Sequence, residues 1–139
     1  MNNRAVMLTL GYAGLLPFYG FLAAAWSLED WPGAISVQGF IIYSLGILCF
    51  LAGTLWGRVQ SFDAPHKARL LVSNGLVLFA VAAALTAQAW LASLALMTGY
   101  LALLWYEQGA ESLPSWYGVM RRNLTLGVAL AHSLSFSVP

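Results

Sequence analysis

Four polar side chains set within long apolar stretches are the best candidates for chemistry in this sequence: His132, Tyr43, Tyr100 and Asn74. At about 1.5 Å of rise per residue, His132 lies about 15 Å along a helix from Arg122, near the middle of a bilayer. Tyr43 and Tyr100 fall at a similar depth, whereas Asn74 falls nearer the inner side. Polar side chains at such depth commonly mark functional sites, so these four are our candidate ligand-binding residues.

The histidine is open to two interpretations. An imidazole at membrane depth can bind a metal, a haem or a proton. A neutral His132 that is hydrogen-bonded to Tyr43, to Tyr100 or to a freed backbone carbonyl explains the same pattern, and we favour this interpretation. A haem would need a further ligand, which Met97 could supply because both residues fall at a similar distance from the outer ends of their apolar stretches.

No other constellation of residues points to catalysis. The single cysteine, Cys49, excludes an internal disulfide and a multi-cysteine zinc site. The sequence has no glycine-rich phosphate loop, no Ser/His/Asp set within reach and no zinc-ligand spacing. We therefore expect a non-enzymatic protein without a metal or a cofactor, with a haem between His132 and Met97 as the alternative.

The composition identifies the medium in which these residues lie. Of the 139 residues, 60% are hydrophobic and 8% are charged, against about 45–50% and about 25% in an average soluble domain. So few charges cannot cover a water-facing surface, which excludes a soluble domain. A formal net charge of +1 also excludes a nucleic-acid binder, since it supplies no surface that neutralises phosphates. Membrane lipid is the expected solvent.

Clusters of charged residues, Pro and Gly divide the chain into five apolar segments, each near the roughly 20 residues that cross a bilayer core. The segments are residues 5–28, 34–57, 69–87, 89–106 and 119–138. The first is too long for the apolar part of an export signal and is interpreted as a retained helix. The sequence thus predicts an all-α integral membrane protein, a five-transmembrane-helix bundle that forms a single domain over residues 1–139.

The positive charges predict how this bundle is oriented. With the N-terminus in the cytoplasm, all six Lys and Arg residues fall on the cytoplasmic side, and the outer loops carry only Glu29 and Asp30. The positive-inside rule therefore favours a cytoplasmic N-terminus and a periplasmic C-terminus. We expect charges of both signs to meet and pair on the cytoplasmic face. The charges singled out there are Arg58, Glu107, Arg121 and Arg122.

Glycines in the second segment predict close helix packing. Gly39, Gly46 and Gly53 recur every seven residues, and Gly57 forms a small-xxx-small pair with Gly53. On a helix they form one smooth stripe that a neighbouring helix can approach closely. We expect the second span to be the central helix, contacted along its length by a neighbour with a left-handed crossing. The sequence leaves open whether that neighbour belongs to this chain or to a second copy.

Pro17 interrupts the first segment, between Gly14 and Gly20. A proline inside a helix removes one backbone hydrogen bond and should kink the helix near its middle. The carbonyls that the kink frees need hydrogen-bond partners from other helices, because lipid supplies none.

Three stretches resemble a known family. They are residues 10–18 (LGYAGLLPF), the block 43–57 that ends in FLAGTLWG, and Pro114–Tyr117 with the later pairs 121–122 (RR) and 124–125 (LT). They resemble the bacterial membrane family called domain of unknown function 3429, which is itself similar to the mitochondrial transmembrane protein 69. The resemblance covers most of the chain. It implies a small five-helix protein of the bacterial inner membrane without an assigned activity, with Glu107 where the family carries an acidic residue.

Three classes of function fit these observations. We favour a non-enzymatic accessory or assembly subunit of a larger inner-membrane complex, because the chain is short and devotes its distinctive residues to helix packing. The alternative is a small-ligand-binding or transport protein with an intrabundle cavity near His132, similar to tryptophan-rich sensory proteins in architecture alone. A membrane enzyme would need Glu107, Glu111, Arg121 and Arg122 to converge on a headgroup. The expected partners are membrane lipid and either a larger complex or a second copy.

Overall fold

The computed structural model describes residues 2–59, 67–86, 88–110 and 115–138, with the backbone alone at residues 56, 58, 59, 86 and 110. Within these ranges all regular secondary structure is helical. The helices are α1 (Asn3–Ala13), α2 (Leu16–Ser27), α3 (Asp30–Val59), α4 (Lys67–Thr86), α5 (Ala89–Ala110) and α6 (Ser115–Ser135). This confirms the predicted all-α fold.

Four helical segments are long and apolar enough to cross a membrane, with mean hydropathy between 1.4 and 2.0. They are Asn3–Ser27, which joins α1 and α2, Asp30–Leu55, Lys67–Leu85 and Ala89–Gly109. These segments coincide with the first four spans that the sequence predicts. Their number and composition are those of a multi-pass membrane protein.

The fifth predicted span, 119–138, corresponds to α6, which begins and ends three to four residues earlier. With 21 residues, α6 is about 30 Å long, which is enough to cross a hydrocarbon core. Its first half carries Arg121 and Arg122, which lower its hydropathy, and it is not among the four apolar segments of the described chain. The fifth crossing therefore stays a prediction.

The first span is broken near Pro17, as the sequence predicts. α1 ends at Ala13, a turn at Gly14 and Leu15 follows, and the proline stands in the first turn of α2, where a backbone N–H would have no helical partner. The two halves have different neighbours, since α1 packs mainly on α6 whereas α2 packs on both α3 and α6. The break therefore carries α1 away from α3.

The central helix is α3, as predicted, because it packs on α2, α4 and α5. α6 completes the bundle by packing on α5, α2 and α1.

Two contacts show that the first and last helices run parallel. The Arg4 guanidinium lies 5.2 Å from the centre of the Trp116 ring at one end, and Trp26 Nε1 donates to the Ser137 hydroxyl at 3.1 Å at the other. We call these the Arg4 end and the Trp26 end.

Large apolar side chains cover the surface of the bundle, and several polar ones lie inside it. Leu71, Leu78 and Leu85 of α4 are 72%, 72% and 80% exposed, whereas Ser44 and Glu107 are fully buried. A soluble protein shows the reverse arrangement. This distribution is the one expected when lipid surrounds the helices.

The glycine stripe of α3 meets a helix of this chain at one end only. A Cβ added to Gly39 would lie 2.5 Å from the Phe21 ring of α2, so this glycine allows the close approach of the two helices. No described atom outside α3 lies within 4 Å of a Cβ added to Gly46, Gly53 or Gly57. The prediction of a close neighbour along the whole stripe is therefore wrong within this chain, because α1 turns from α3 to α6 at the break.

Candidate functional site

His132 lies at the centre of the bundle with both ring nitrogens hydrogen-bonded. Nδ1 lies 2.7 Å from the Val128 carbonyl one turn earlier on α6, and Nε2 lies 2.7 Å from the Ser44 hydroxyl of α3. A carbonyl can only accept, so the proton of this imidazole is assigned to Nδ1. A neutral ring with this tautomer accepts the Ser44 hydroxyl proton at Nε2. The histidine thus ties α6 to the central helix.

Aromatic rings surround the parts of the imidazole that make no hydrogen bond. The ring centre of His132 lies 4.9 Å from that of Phe40, 5.5 Å from that of Tyr100 and 5.7 Å from that of Phe18. The Tyr100 hydroxyl donates to the Ser44 carbonyl at 2.7 Å. Ser44 is therefore hydrogen-bonded to Tyr100 through its carbonyl and to His132 through its hydroxyl. We call these five side chains the histidine cluster. The polar members are hydrogen-bonded and the two phenylalanines pack against the imidazole, so neither ring nitrogen of His132 is left open to a ligand.

The favoured interpretation of His132, a ring held by hydrogen bonds, agrees with this geometry, although none of the three suggested partners, Tyr43, Tyr100 or a carbonyl freed by the proline, is the one observed. A backbone carbonyl does bind the ring, but it comes from Val128 and is not freed by the proline. Tyr43 instead donates to the carbonyl of Gly14 at 2.8 Å, which lies in the break between α1 and α2. The predicted need for an outside partner at the break is therefore met by Tyr43. Sequence reasoning missed Ser44, because it does not show which of two adjacent polar residues faces inward.

The haem alternative gains no support from the donor atoms. A metal at Nε2 of His132 would have to displace Ser44. The Met97 sulfur accepts a hydrogen bond of 3.6 Å from Ser133, which is exposed. Residues 2–59, 67–86, 88–110 and 115–138 bring together no group of three or more His, Cys, Asp or Glu side chains that could hold a metal ion.

Asn74 lies apart from the histidine cluster, which corrects its grouping with His132. It stands on the outward surface of α4, between Leu71 and Leu78, both of which are 72% exposed. Its side-chain nitrogen donates to the Leu70 carbonyl at 3.1 Å. The neighbouring Gly75 is also exposed, with no described atom outside α4 within 4 Å of an added Cβ. We call Leu71, Asn74, Gly75 and Leu78 the Asn74 face.

Glu107 and Arg121 form a buried ion pair rather than part of a charged face. The Arg121 Nε atom donates to one carboxylate oxygen at 3.1 Å and Nη2 donates to the other at 2.9 Å, a two-point contact between α5 and α6. The Glu107 side chain is 0% exposed and the Arg121 side chain is 2% exposed. The predicted pairing is confirmed, but the predicted surface position is wrong for both. Arg122 is exposed, and the Arg58 side chain lies outside the described residues.

A groove of about 390 Å³ lies between α1, α3 and α6 at the Arg4 end. Phe18 and Tyr100 close its deep end, and Met7 and Tyr117 lie toward its other end. Almost all of its lining is apolar. Polar side chains on its α6 wall include Arg121 and Thr125, which lie one turn apart, and Thr54 lies on the α3 wall. The groove follows from the break in the first span, because α1 packs on α6 while α2 stays against α3.

The family model of DUF3429, a protein of unknown function, matches residues 3–137, nearly the whole chain. The chain belongs to the DUF3429 family. No curated protein and no solved structure matches it. In this DUF3429 protein, the features that bear on function are the buried polar groups, the groove and the outward helix faces.

Proposed function

We propose that this DUF3429 protein is a non-enzymatic accessory or assembly subunit of a larger membrane complex. It joins that complex by packing an outward helix face against a transmembrane helix of a partner. The observation that carries the proposal is the position of Asn74, a polar amide on the outward surface of an apolar helix.

An amide that faces hydrocarbon loses hydrogen bonds that water would provide. Within the described residues Asn74 has one hydrogen bond, from its side-chain nitrogen to Leu70, and its side-chain oxygen has no donor. Polar side chains on membrane helices commonly gain such partners by bonding across to another helix. Gly75, next to the amide, gives a partner helix room to approach. The Asn74 face thus has the composition of an interface between helices.

The open part of the glycine stripe on α3 supports the same function. Gly39 shows that the stripe accepts a helix, since the Phe21 ring of α2 packs directly on it. The continuation through Gly46, Gly53 and Gly57 is exposed. Small residues of this kind let two membrane helices meet by van der Waals contact. A second partner helix, or a second copy of this chain, fits this surface.

The orientation and location remain part of the proposal. We place the chain in the bacterial inner membrane with five crossings, a cytoplasmic N-terminus and a periplasmic C-terminus. Supporting this, Arg4 contacts Trp116, so α1 and α6 begin at the same end, and α4 begins there with Lys67. The buried pairing of Arg121 with Glu107 removes the main obstacle to a crossing by α6, because its charge is neutralised inside the bundle.

The packing of the histidine cluster argues against the alternative function, in which a ligand binds in a cavity near His132. To contact the His132 ring, a ligand would have to displace Phe40 or Tyr100, both fully or almost fully buried. Of the four residues that a membrane enzyme would bring together, Glu107 and Arg121 pair with each other, Arg122 is exposed, and Glu111 lies outside the described residues.

The test is purification of the tagged protein from its native membrane in mild detergent, followed by mass spectrometry of the proteins that accompany it. We expect Asn74→Leu to reduce recovery of a stoichiometric partner about three- to tenfold, since interhelical hydrogen bonds contribute about 0.6–1.5 kcal/mol. Thr98→Val is the matched control, because Thr98 is also exposed but its hydroxyl is bonded to the Leu94 carbonyl of its own helix.

Two outcomes would overturn the proposal. One is a wild-type protein that elutes alone and monomeric from native membranes. The other is an Asn74→Leu variant that keeps its partner as well as the Thr98→Val control does. Recovery of a second copy of the chain alone would replace the larger complex with a homo-oligomer.

A further inference from the structure

We propose that the groove between α1, α3 and α6 binds an uncharged, lipid-soluble molecule that carries a carbonyl on a flat ring, as in the quinone class. The Thr125 hydroxyl donates a hydrogen bond to that carbonyl. This site is separate from the Asn74 face of α4, which carries the docking proposal and contributes nothing to the groove lining, so either proposal can fail without the other.

The first argument is the hydroxyl of Thr125. Thr125 is 1% exposed, and its oxygen has no hydrogen-bond partner among the described residues. Two other threonine hydroxyls are satisfied within their own helices, since Thr98 donates to the Leu94 carbonyl and Thr54 donates to the Leu51 carbonyl at 2.7 Å. A buried polar group without a partner destabilises the fold, because it has lost its hydrogen bonds to water and gained none in the protein. A ligand with an acceptor atom would recover that free energy.

The second argument is charge. Arg121 is the one charged residue in the described lining of the groove, and both of its bonded nitrogens are directed at Glu107. The pair is neutral as a unit, and the remaining lining is apolar or uncharged. An anionic ligand would have to compete with Glu107, and a cationic ligand would meet the guanidinium. The groove therefore selects a molecule without net charge.

The third argument is shape. From α1 through the break to the first turn of α2, the lining runs from Met7 to Phe18, about 16 Å at the rise of a helix. The volume of about 390 Å³ lies within the range of about 300–1,000 Å³ typical of small-molecule pockets. Aromatic side chains along the walls, among them Tyr100 and Tyr117, offer faces and edges to a flat ring. A ring with a short apolar tail fits this space.

The fourth argument is access. The groove is open along the side where α1 leaves α3, and its rim carries Leu10 and Phe50, which are 67% and 70% exposed. These exposed apolar side chains face lipid. A ligand therefore enters from the membrane rather than from water, which requires the lipid solubility stated above.

The test compares two ligands of the same shape in lipid nanodiscs. The probe is 2,3-dimethyl-1,4-naphthoquinone, and the control is 2,3-dimethylnaphthalene, which lacks both carbonyls. Binding is measured by isothermal titration calorimetry with empty nanodiscs subtracted. We expect the quinone to bind wild-type protein about tenfold more tightly than the hydrocarbon, which corresponds to one hydrogen bond of about 1.4 kcal/mol.

Two variants assign that difference to Thr125. Thr125→Val keeps the shape of the side chain but removes its hydroxyl, so we expect it to weaken quinone binding about tenfold and to leave hydrocarbon binding unchanged. Thr125→Ser keeps the hydroxyl and should bind the quinone nearly as the wild type does, and Thr98→Val should match the wild type for both ligands.

The proposal is overturned if the two ligands bind the wild type equally, since the groove would then hold any hydrocarbon, including ordinary lipid chains. It is also overturned if Thr125→Val retains the preference for the quinone. An absence of binding by either ligand to wild-type protein that unfolds cooperatively would exclude this class of ligand.

Discussion

The histidine cluster and the groove lie side by side in this bundle and share Phe18 and Tyr100. They differ in whether their polar atoms have hydrogen-bonding capacity that the protein leaves unused. In the cluster, both nitrogens of His132 and the hydroxyl of Ser44 are already bonded within the protein. In the groove, the Thr125 hydroxyl is buried without a described partner. A residue type that is rare in membranes is thus weaker evidence for a site than an unused hydrogen bond.

The largest effect is expected at the ion pair that forms part of the groove wall. Glu107→Ala leaves Arg121 buried without its partner, which should lower the free energy of unfolding by about 3–5 kcal/mol. Denaturant titration in detergent micelles measures it. The double variant Glu107→Leu with Arg121→Met should recover most of the loss, because no charge is then left buried. Glu29→Ala, at an exposed carboxylate, is the control and should change stability little. A mild effect of Glu107→Ala would show that water reaches the pair.

A smaller effect is expected in the histidine cluster. Ser44→Ala removes the hydroxyl bonded to Nε2 of His132 and leaves that nitrogen unsatisfied, so the free energy of unfolding should fall by about 1–3 kcal/mol. The same titration with Ser133→Ala provides the control, because Ser133 is exposed and donates to the Ala129 carbonyl of its own helix. If the two variants were equally stable, the bond between Ser44 and His132 would not stabilise the histidine cluster as described.

The smallest effect, and the sharpest contrast, is expected for Thr125→Val without ligand. It also removes one buried hydroxyl, but a hydroxyl without a partner stabilises nothing, so the free energy of unfolding should stay equal or rise by up to about 1 kcal/mol. The result is to be compared with Ser44→Ala in the same detergent. A loss as large as that of Ser44→Ala would mean that Thr125 has an internal partner, and the two regions would no longer differ.

Local sequence signals predicted much of the fold. Long apolar segments located four spans, and Pro17 located the break, because both depend on residues close together in the chain. The low hydropathy of α6, in contrast, cannot be interpreted from local sequence alone. Arg121 lowers it in any window of sequence, whereas its partner Glu107 lies on another helix, and only the folded bundle brings the two together.

The candidate site was less predictable because it depends on which way each side chain faces. Depth along a helix correctly grouped His132 with Tyr100 but also placed Asn74 among the candidates, although Asn74 faces outward. Spacing marked the glycine stripe, and nothing in the spacing shows that α1 leaves it. The groove depends on that departure and on the unused hydroxyl of Thr125, neither of which leaves a pattern in the sequence.

The break in the first span also bears on how this chain can vary. α1 contributes no fully buried side chain, whereas Phe18, Leu22 and Ala25 of α2 are buried in the interior. Substitutions within α1 can therefore tilt or reshape that arm without removing a side chain from the buried core. Evolution can in this way retune the width of the opening between the arm and α3 without rebuilding the scaffold that supports it.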